Sequence, residues 1–145
     1  MELSIGDKAP LTAGKDQNGN LLDFTGQSVI LYFYPKDNTP GCTAQSCNLN
    51  ENLPDITKAG YRVIGVSVDD EKSHQKFIKK FNLGFDLIAD TELSMVNVYG
   101  VWVEKSMYGK IYMGIKRTTF VIDSTGIIIN IVSKVDTQNH TAQLI

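Results

Sequence analysis

The chain has 145 residues, 42% hydrophobic and 21% charged, with 14 Lys and Arg against 16 Asp and Glu and a formal net charge of −2. That is a globular composition of single-domain length, which excludes a disordered or collagen-like chain, and the slight acidity argues against a nucleic-acid footprint. Two cysteines are too few to staple a small scaffold, so their placement matters more than their number.

The first ten residues carry Glu2, Asp7 and Lys8 and no apolar segment, unlike a secretory signal. The longest apolar runs fall far short of a membrane span. Neither repeats nor linkers divide the chain, so one domain over residues 1–145 is expected, in a soluble, cytoplasmic protein. Gly14–Asn20 reads as a loop or the turn of an N-terminal hairpin. Val29–Tyr34 is β-branched and aromatic, as in a buried strand. After a turn-rich Asp37–Gly41, a helix is expected from Thr39 towards Ala59, kinked or divided by Pro54 and capped by Gly60. Tyr61–Val68 is a second apolar strand. Asp69 and Asp70 are candidate N-caps for a helix over Glu71–Asn82. There His74, Phe77, Ile78 and Phe81 form one core-facing stripe, with Gly84 as the stop. Asp86–Ala89 reads as a strand and Glu92–Tyr99 as a helix closed by Gly100. Thr118–Ile122 and Ile127–Val132 flank the turn Asp123–Gly126 as a hairpin. The order β-α-β-α-β-α-β-β implies an α/β fold, a central mixed sheet flanked by helices on both faces and closed by an antiparallel edge. A thioredoxin-like fold has this pattern; a flavodoxin-like sheet fits the closing hairpin less well.

The chemistry concentrates at the start of the first helix. Thr39 is a preferred N-cap and Pro40 a preferred N1 residue. Cys42 then lies at N3, where unpaired N–H groups and the helix dipole favour a thiolate. Cys47 follows five residues later. An intact helix separates their Cα atoms by roughly 8–9 Å, beyond the ~7 Å that a disulfide tolerates. The two can react only if the helix unwinds, unlike a C-x-x-C reductase pair.

Pro35-x-x-x-Thr39-x-x-Cys42 resembles the active-site pattern of the peroxiredoxins. The longer stretch from Tyr32 to Cys47 is similar to the bacterioferritin comigratory (Q-type) branch. Further matching blocks are Val66–Asp69, Tyr99–Trp102, Glu104-Lys105, Met107–Lys110 and Gly114–Asp123, so the likeness runs from about Gly6 to Val135. It implies a thiol peroxidase acting on hydrogen peroxide and organic hydroperoxides. Cys42 would be the peroxidatic cysteine, attacking a peroxide oxygen to form a sulfenic acid. Arg117 would be the fixed cation beside it. The Thr39 hydroxyl would hold peroxide oxygens as well as cap the helix, Pro35 would shield the pocket, and the N–H groups of Gly41 and Cys42 would add donors. Cys47 would resolve the sulfenic acid as an intramolecular disulfide, reduced by a dithiol partner, usually thioredoxin in this family. The resemblance requires no metal, flavin or haem, and the monomer is the expected state. A thioredoxin-fold disulfide oxidoreductase and a non-catalytic peroxide sensor that oxidises a partner protein are the competing functions.

Other residues have plainer readings. A lone cysteine such as Cys42 is often a small buried hydrophobe, and Cys47 could leave resolution to an external thiol. His74 is expected to pack in the core and His140 to be solvent-exposed. Two Cys and two His at these spacings match no zinc pattern. The lysines of the second helix read as a solvated face. Trp102, Tyr108 and Tyr112 either line a groove near Arg117 or pack structurally. Pro10-Leu11-Thr12 and Asn50 depart from the family pattern, in which Pro-Asp-Phe and an arginine are usual. Gln138–Ile145 is shorter than the final helix expected of the family and reads as either a truncated helix or a bare chain end.

Overall fold

A computed structural model describes residues 2–145. Its centre is a five-stranded sheet built from β3 (Val29–Phe33), β4 (Arg62–Ser67), β5 (Asp86–Ala89), β8 (Thr118–Ile122) and β9 (Ile128–Val132), in the order β5-β4-β3-β8-β9. β3 runs parallel to β4 and antiparallel to β8. Two small antiparallel sheets stand apart: β1 (Ala13–Lys15) with β2 (Leu21–Asp23), and β6 (Trp102–Met107) with β7 (Lys110–Ile115). The mixed sheet and the N-terminal hairpin agree with the sequence; the β6–β7 hairpin is an addition to it.

Alternation along β3 builds two cores. Val29, Leu31 and Phe33 face a cluster with Leu22, Phe24, Met95, Val96, Tyr99 and Phe120. Ile30, Tyr32 and, just beyond the strand, Tyr34 face a second cluster with Cys42, Leu49, Ile56 and Phe77. Period-two geometry sends neighbouring side chains to opposite faces, so β3 is buried along its whole length. In β4, Gly65 is required by this packing, because a Cβ there would lie 2.8 Å from the Tyr32 ring.

Helices α1 (Pro40–Glu51) and α2 (Leu53–Lys58) divide the stretch expected over Thr39–Ala59, one of the two outcomes anticipated for Pro54. The break is at Asn52, and Pro54 sits in the first turn of α2, where its missing N–H is harmless. α2 closes as anticipated on Gly60 (φ +93°), with Gly60 N–H donating to Thr57 O and Tyr61 N–H to Ile56 O, the paired bonds of a glycine-terminated helix. α3 (Glu71–Phe81) starts at Asp70, whose carboxylate accepts from Ser73 N–H at 2.8 Å. It ends at Asn82 in the left-handed region (φ 50°), not at Gly84. Asparagine tolerates that conformation, so the chain turns two residues earlier than expected. α4 (Ser94–Val98) is shorter than Glu92–Tyr99 because Leu93 already has φ 63°. α5 (His140–Leu144) lies against α1. No helix among the described residues is long and apolar enough to cross a membrane.

Candidate active site

The site forms where the end of β3, the N-terminus of α1 and the start of β8 meet. Pro40 occupies N1, so Cys42 stands at N3 and is 1% exposed. Its stripe on α1 is unusual. The buried positions Cys42, Gln45, Ser46 and Leu49 follow helical spacing, yet three of the four are not hydrocarbon. A stripe that served only to pack would be apolar; this one turns polar groups inward.

Arg117 completes it. The residue lies between β7 and β8, half-buried. Its Nη2 donates to Cys42 Sγ at 3.3 Å and its Nη1 to Gln45 Oε1 at 2.7 Å. The planar guanidinium is thus held by two groups on one helix face, which a flexible ammonium could not reproduce. Gly41 makes room for it, since a Cβ there would sit 3.3 Å from Arg117 Nη2. Gln45 Nε2 is buried without a hydrogen-bond partner among the described residues. Sequence reasoning missed Gln45; its position three residues after Cys42 on the inner face was the available signal.

Lys105 of β6 was also missed as a member of this neighbourhood. Burial, and then the charge of Arg117, push its ammonium below the ordinary lysine range, while the Cys42 sulfur acts in the opposite sense. A second cation therefore stands within electrostatic reach of the sulfur. Pro35 follows β3 and is half-buried beside the loop to α1.

Thr39 is the N-cap residue by backbone, but its side chain makes no capping bond. Its hydroxyl donates instead to Lys36 O at 2.8 Å. The expected cap is thereby corrected: the rotamer that donates to Lys36 O does not bring the hydroxyl oxygen onto the first-turn N–H groups, and that oxygen keeps lone pairs free to accept. Cys47 is half-buried, and both cysteines are free thiols on one unbroken helix. Burial and the Glu51 carboxylate push the Cys47 thiol up.

The histidines divide differently from expectation. His74 is in the core, as its stripe predicted. His140 is not in solvent but fully buried, because α5 folds back. Its ring bonds Thr119 Oγ1 at 2.8 Å and Gln143 Oε1 at 2.7 Å. Trp102 packs against the first core cluster, whereas Tyr108 is fully exposed at the β6–β7 tip and Tyr112 is 43% exposed. Asp37, Asp69 and His74 bring one ligand atom each within 4.8 Å of one another. Hydrogen bonds within the protein already engage those atoms. Asn50, the departure in α1, bridges to α3: its Nδ2 donates to Asn82 O at 3.1 Å and its Oδ1 accepts from Gly84 N–H at 2.8 Å.

Comparison with known proteins places these features in company. The AhpC/TSA family matches residues 5–131. The chain is 43% identical over 148 residues to a putative peroxiredoxin bcp of Coxiella burnetii, covering 100% of this chain and 98% of that one. It is 44% identical over 141 residues to peroxiredoxin Bcp of Escherichia coli K12, covering 95% and 90%. A cysteine-to-serine variant of Xylella fastidiosa PrxQ superposes with a TM-score of 0.91 at 31% identity, over 99% of this chain and 94% of that one. A bacterioferritin comigratory protein of Xanthomonas campestris, solved as a trapped intermediate/ligand complex of alkyl peroxide reduction, gives 0.85 at 33% identity, over 98% and 92%.

Proposed function

The chain belongs to the AhpC/TSA family and is a peroxiredoxin, a thiol peroxidase, and from that premise we propose that Cys42 is its peroxidatic cysteine, Cys47 its resolving cysteine and a thioredoxin-like dithiol protein its reductant. One observation carries the assignment of Cys42: the buried sulfur at N3 of α1 receives the Arg117 Nη2 donor at 3.3 Å.

In the first step the Cys42 thiolate attacks the terminal oxygen of ROOH. The S–O bond forms as the O–O bond breaks, the electron pair leaves on RO⁻, and a proton converts this to alcohol or water. Arg117 stabilises the charge spreading over both oxygens, where an oriented donor counts most. The Thr39 hydroxyl oxygen and the first-turn N–H groups of Gly41 and Cys42 complete the cradle, and Pro35 limits water. Gln45 holds the guanidinium in line.

In the second step the Cys47 thiolate attacks the sulfenic sulfur. The S–S bond forms and hydroxide departs, taking a proton to become water. The intact α1 keeps the sulfurs apart, so its turns between residues 42 and 47 unwind first. Burial and Glu51 hold Cys47 towards its thiol form in the helix; unwinding exposes the residue and relieves the burial, so exposure and activation of the resolver coincide. A dithiol then attacks this disulfide and returns both thiols. The protein would work as a monomer.

Steady peroxide consumption with a thioredoxin system tests the cycle, against a single stoichiometric oxidation for a sensor. Cys42→Ser is expected to abolish turnover, and retention of full activity would overturn the assignment. Peroxide should remove two hydrogens from the intact mass of the native chain. Cys47→Ser should instead gain oxygen and lose turnover with the thioredoxin system; full turnover in that variant would remove Cys47 from the resolving role.

A further inference from the structure

We propose that Asp37 and His74 form a buried positioning pair that fixes the loop between β3 and α1, and with it Thr39, relative to the Cys42 sulfur. The inference rests on the reading of Cys42 as the peroxidatic cysteine.

Asp37 is only 7% exposed, although charged loop residues normally stay in water. Its Oδ1 accepts from the Tyr34 hydroxyl. Its Oδ2 accepts from the Ser73 hydroxyl at 2.8 Å and faces His74 Nδ1 at 2.7 Å. Its backbone N–H donates to Asp69 Oδ2 at 2.9 Å, an oxygen that also accepts from the Ser67 hydroxyl at 2.7 Å. His74 is wholly buried, and its Nε2 lies 2.9 Å from Ile88 O.

The donor count is decisive. A carbonyl oxygen only accepts, so His74 Nε2 carries a hydrogen. The short Nδ1–Oδ2 contact then needs one more proton, on nitrogen or on oxygen. Without it two lone pairs would face each other in a buried site, with nothing to offset the desolvation of either. The ring therefore joins Asp37 to the β5 backbone through two hydrogen bonds at once. The imidazole suits this because its two nitrogens reach hydrogen-bond partners in opposed directions from one rigid plane.

Chain connectivity alone does not call for this. One loop residue is tied to Tyr34 after β3, to the segment leading into α3 through Asp69, to α3 through Ser73 and His74, and to β5 through His74. Next to it, Asn38 holds φ 56° and accepts from Lys80 Nζ at 3.1 Å. Thr39 then bonds back to Lys36 O. The anchor thus acts on the residue between the two ends of that hydroxyl bond. Misplacement of a positioned group by about 1 Å can cost on the order of 100-fold in rate, which gives a reason to over-determine this loop.

Single-turnover oxidation by hydrogen peroxide, quenched and read by intact mass, separates the two chemical steps. His74→Gln and Asp37→Asn are each expected to slow sulfenate formation by roughly 10- to 100-fold, with disulfide formation from the sulfenate changed by less than about twofold. The double variant should be no slower than the slower single one, because both remove the same linkage. A peroxide step within about twofold of native in both single variants, or losses that multiply in the double variant, would overturn the proposal. If either single variant does not fold, Ser73→Ala decides, since it removes one donor from the same oxygen: a slowed peroxide step supports the pair and an unchanged one refutes it. In the native protein, ¹⁵N NMR should find His74 Nε2 protonated; an unprotonated Nε2 would also refute it. A native chain that forms no sulfenate on Cys42 would instead sink the functional reading, and the His74 spectrum distinguishes that failure from this one.

Discussion

Gln45 ties the face of α1 that carries Cys42 to Arg117. Its carbonyl oxygen takes Arg117 Nη1 at 2.7 Å while Nη2 reaches the sulfur, so the amide and the thiol share one guanidinium. A hydrogen bond to a charged group contributes about 1.5–3 kcal/mol. Gln45→Met keeps the volume and removes the acceptor, and should slow the peroxide step by roughly 10- to 100-fold. Arg117→Lys should be slowed at least as much, because one ammonium cannot make both contacts in a plane. Stopped-flow measurement with hydrogen peroxide checks both, and a variant at native speed would remove the Gln45–Arg117 bond from the mechanism. Cys42 was legible in the sequence because Thr39, Pro40 and the helix start are local signals. Gln45 and Lys105 were not, because their roles depend on Arg117, some seventy and a dozen positions away, folding onto them.

Helix α1 is held at both ends, and the second hold falls beside Cys47. Asn48 Nδ2 donates to Gln138 O at 3.0 Å, and its Oδ1 accepts from Thr141 N–H at 2.8 Å, so α5 clamps the residue next to the proposed resolver. Each such bond is worth about 0.5–1.5 kcal/mol. Asn48→Ala removes both and should therefore speed disulfide formation from the sulfenate by roughly five- to hundredfold while leaving the peroxide step unchanged. An unaltered resolving rate would show that the clamp does not limit unwinding. The same element carries a pH dependence. Burial holds buried His140 below its ordinary value of 6.5, so as pH falls through that value the unfolded chain takes up a proton before the folded one does. Stability is then greatest above that pH and declines below it. Thermal unfolding at pH 5.5 against pH 7.5 should show the loss, and His140→Gln should flatten it. Nothing in the sequence of residues 136–145 revealed this burial, since it depends on the distant Thr119, which His140 bonds, and on α5 lying against α1. The β6–β7 hairpin escaped notice for a related reason. Its strands are mostly exposed, so no apolar alternation marks them, and its turn places Tyr108 at φ 51° before Gly109, where asparagine or aspartate is the usual cue.

At the scale of the whole molecule, the sheet divides the larger core from the face on which α1 packs. Long apolar runs made β3, β4 and β8 easy to find, and they build the larger cluster without any side chain of α1. α1 contributes Cys42 and Leu49 to the smaller cluster, beside Ile30, Tyr32 and Tyr34, with Ser46 bonded to the Tyr32 hydroxyl at 2.8 Å. Unwinding α1 to join Cys42 and Cys47 would withdraw those contacts and expose part of one face only. The disulfide closes too short a loop to compensate much, since its chain-entropy effect grows with loop length. The oxidised chain is therefore expected to unfold at a lower temperature than the reduced one, by several degrees (about 1–2 kcal/mol at roughly 3–5 °C per kcal/mol). Amide hydrogen exchange should rise across residues 40–52 and stay slow in β3 and β8, as local opening predicts. Equal protection of residues 40–52 in the two redox states would contradict a cycle that requires this helix to unwind, even if the disulfide itself were found.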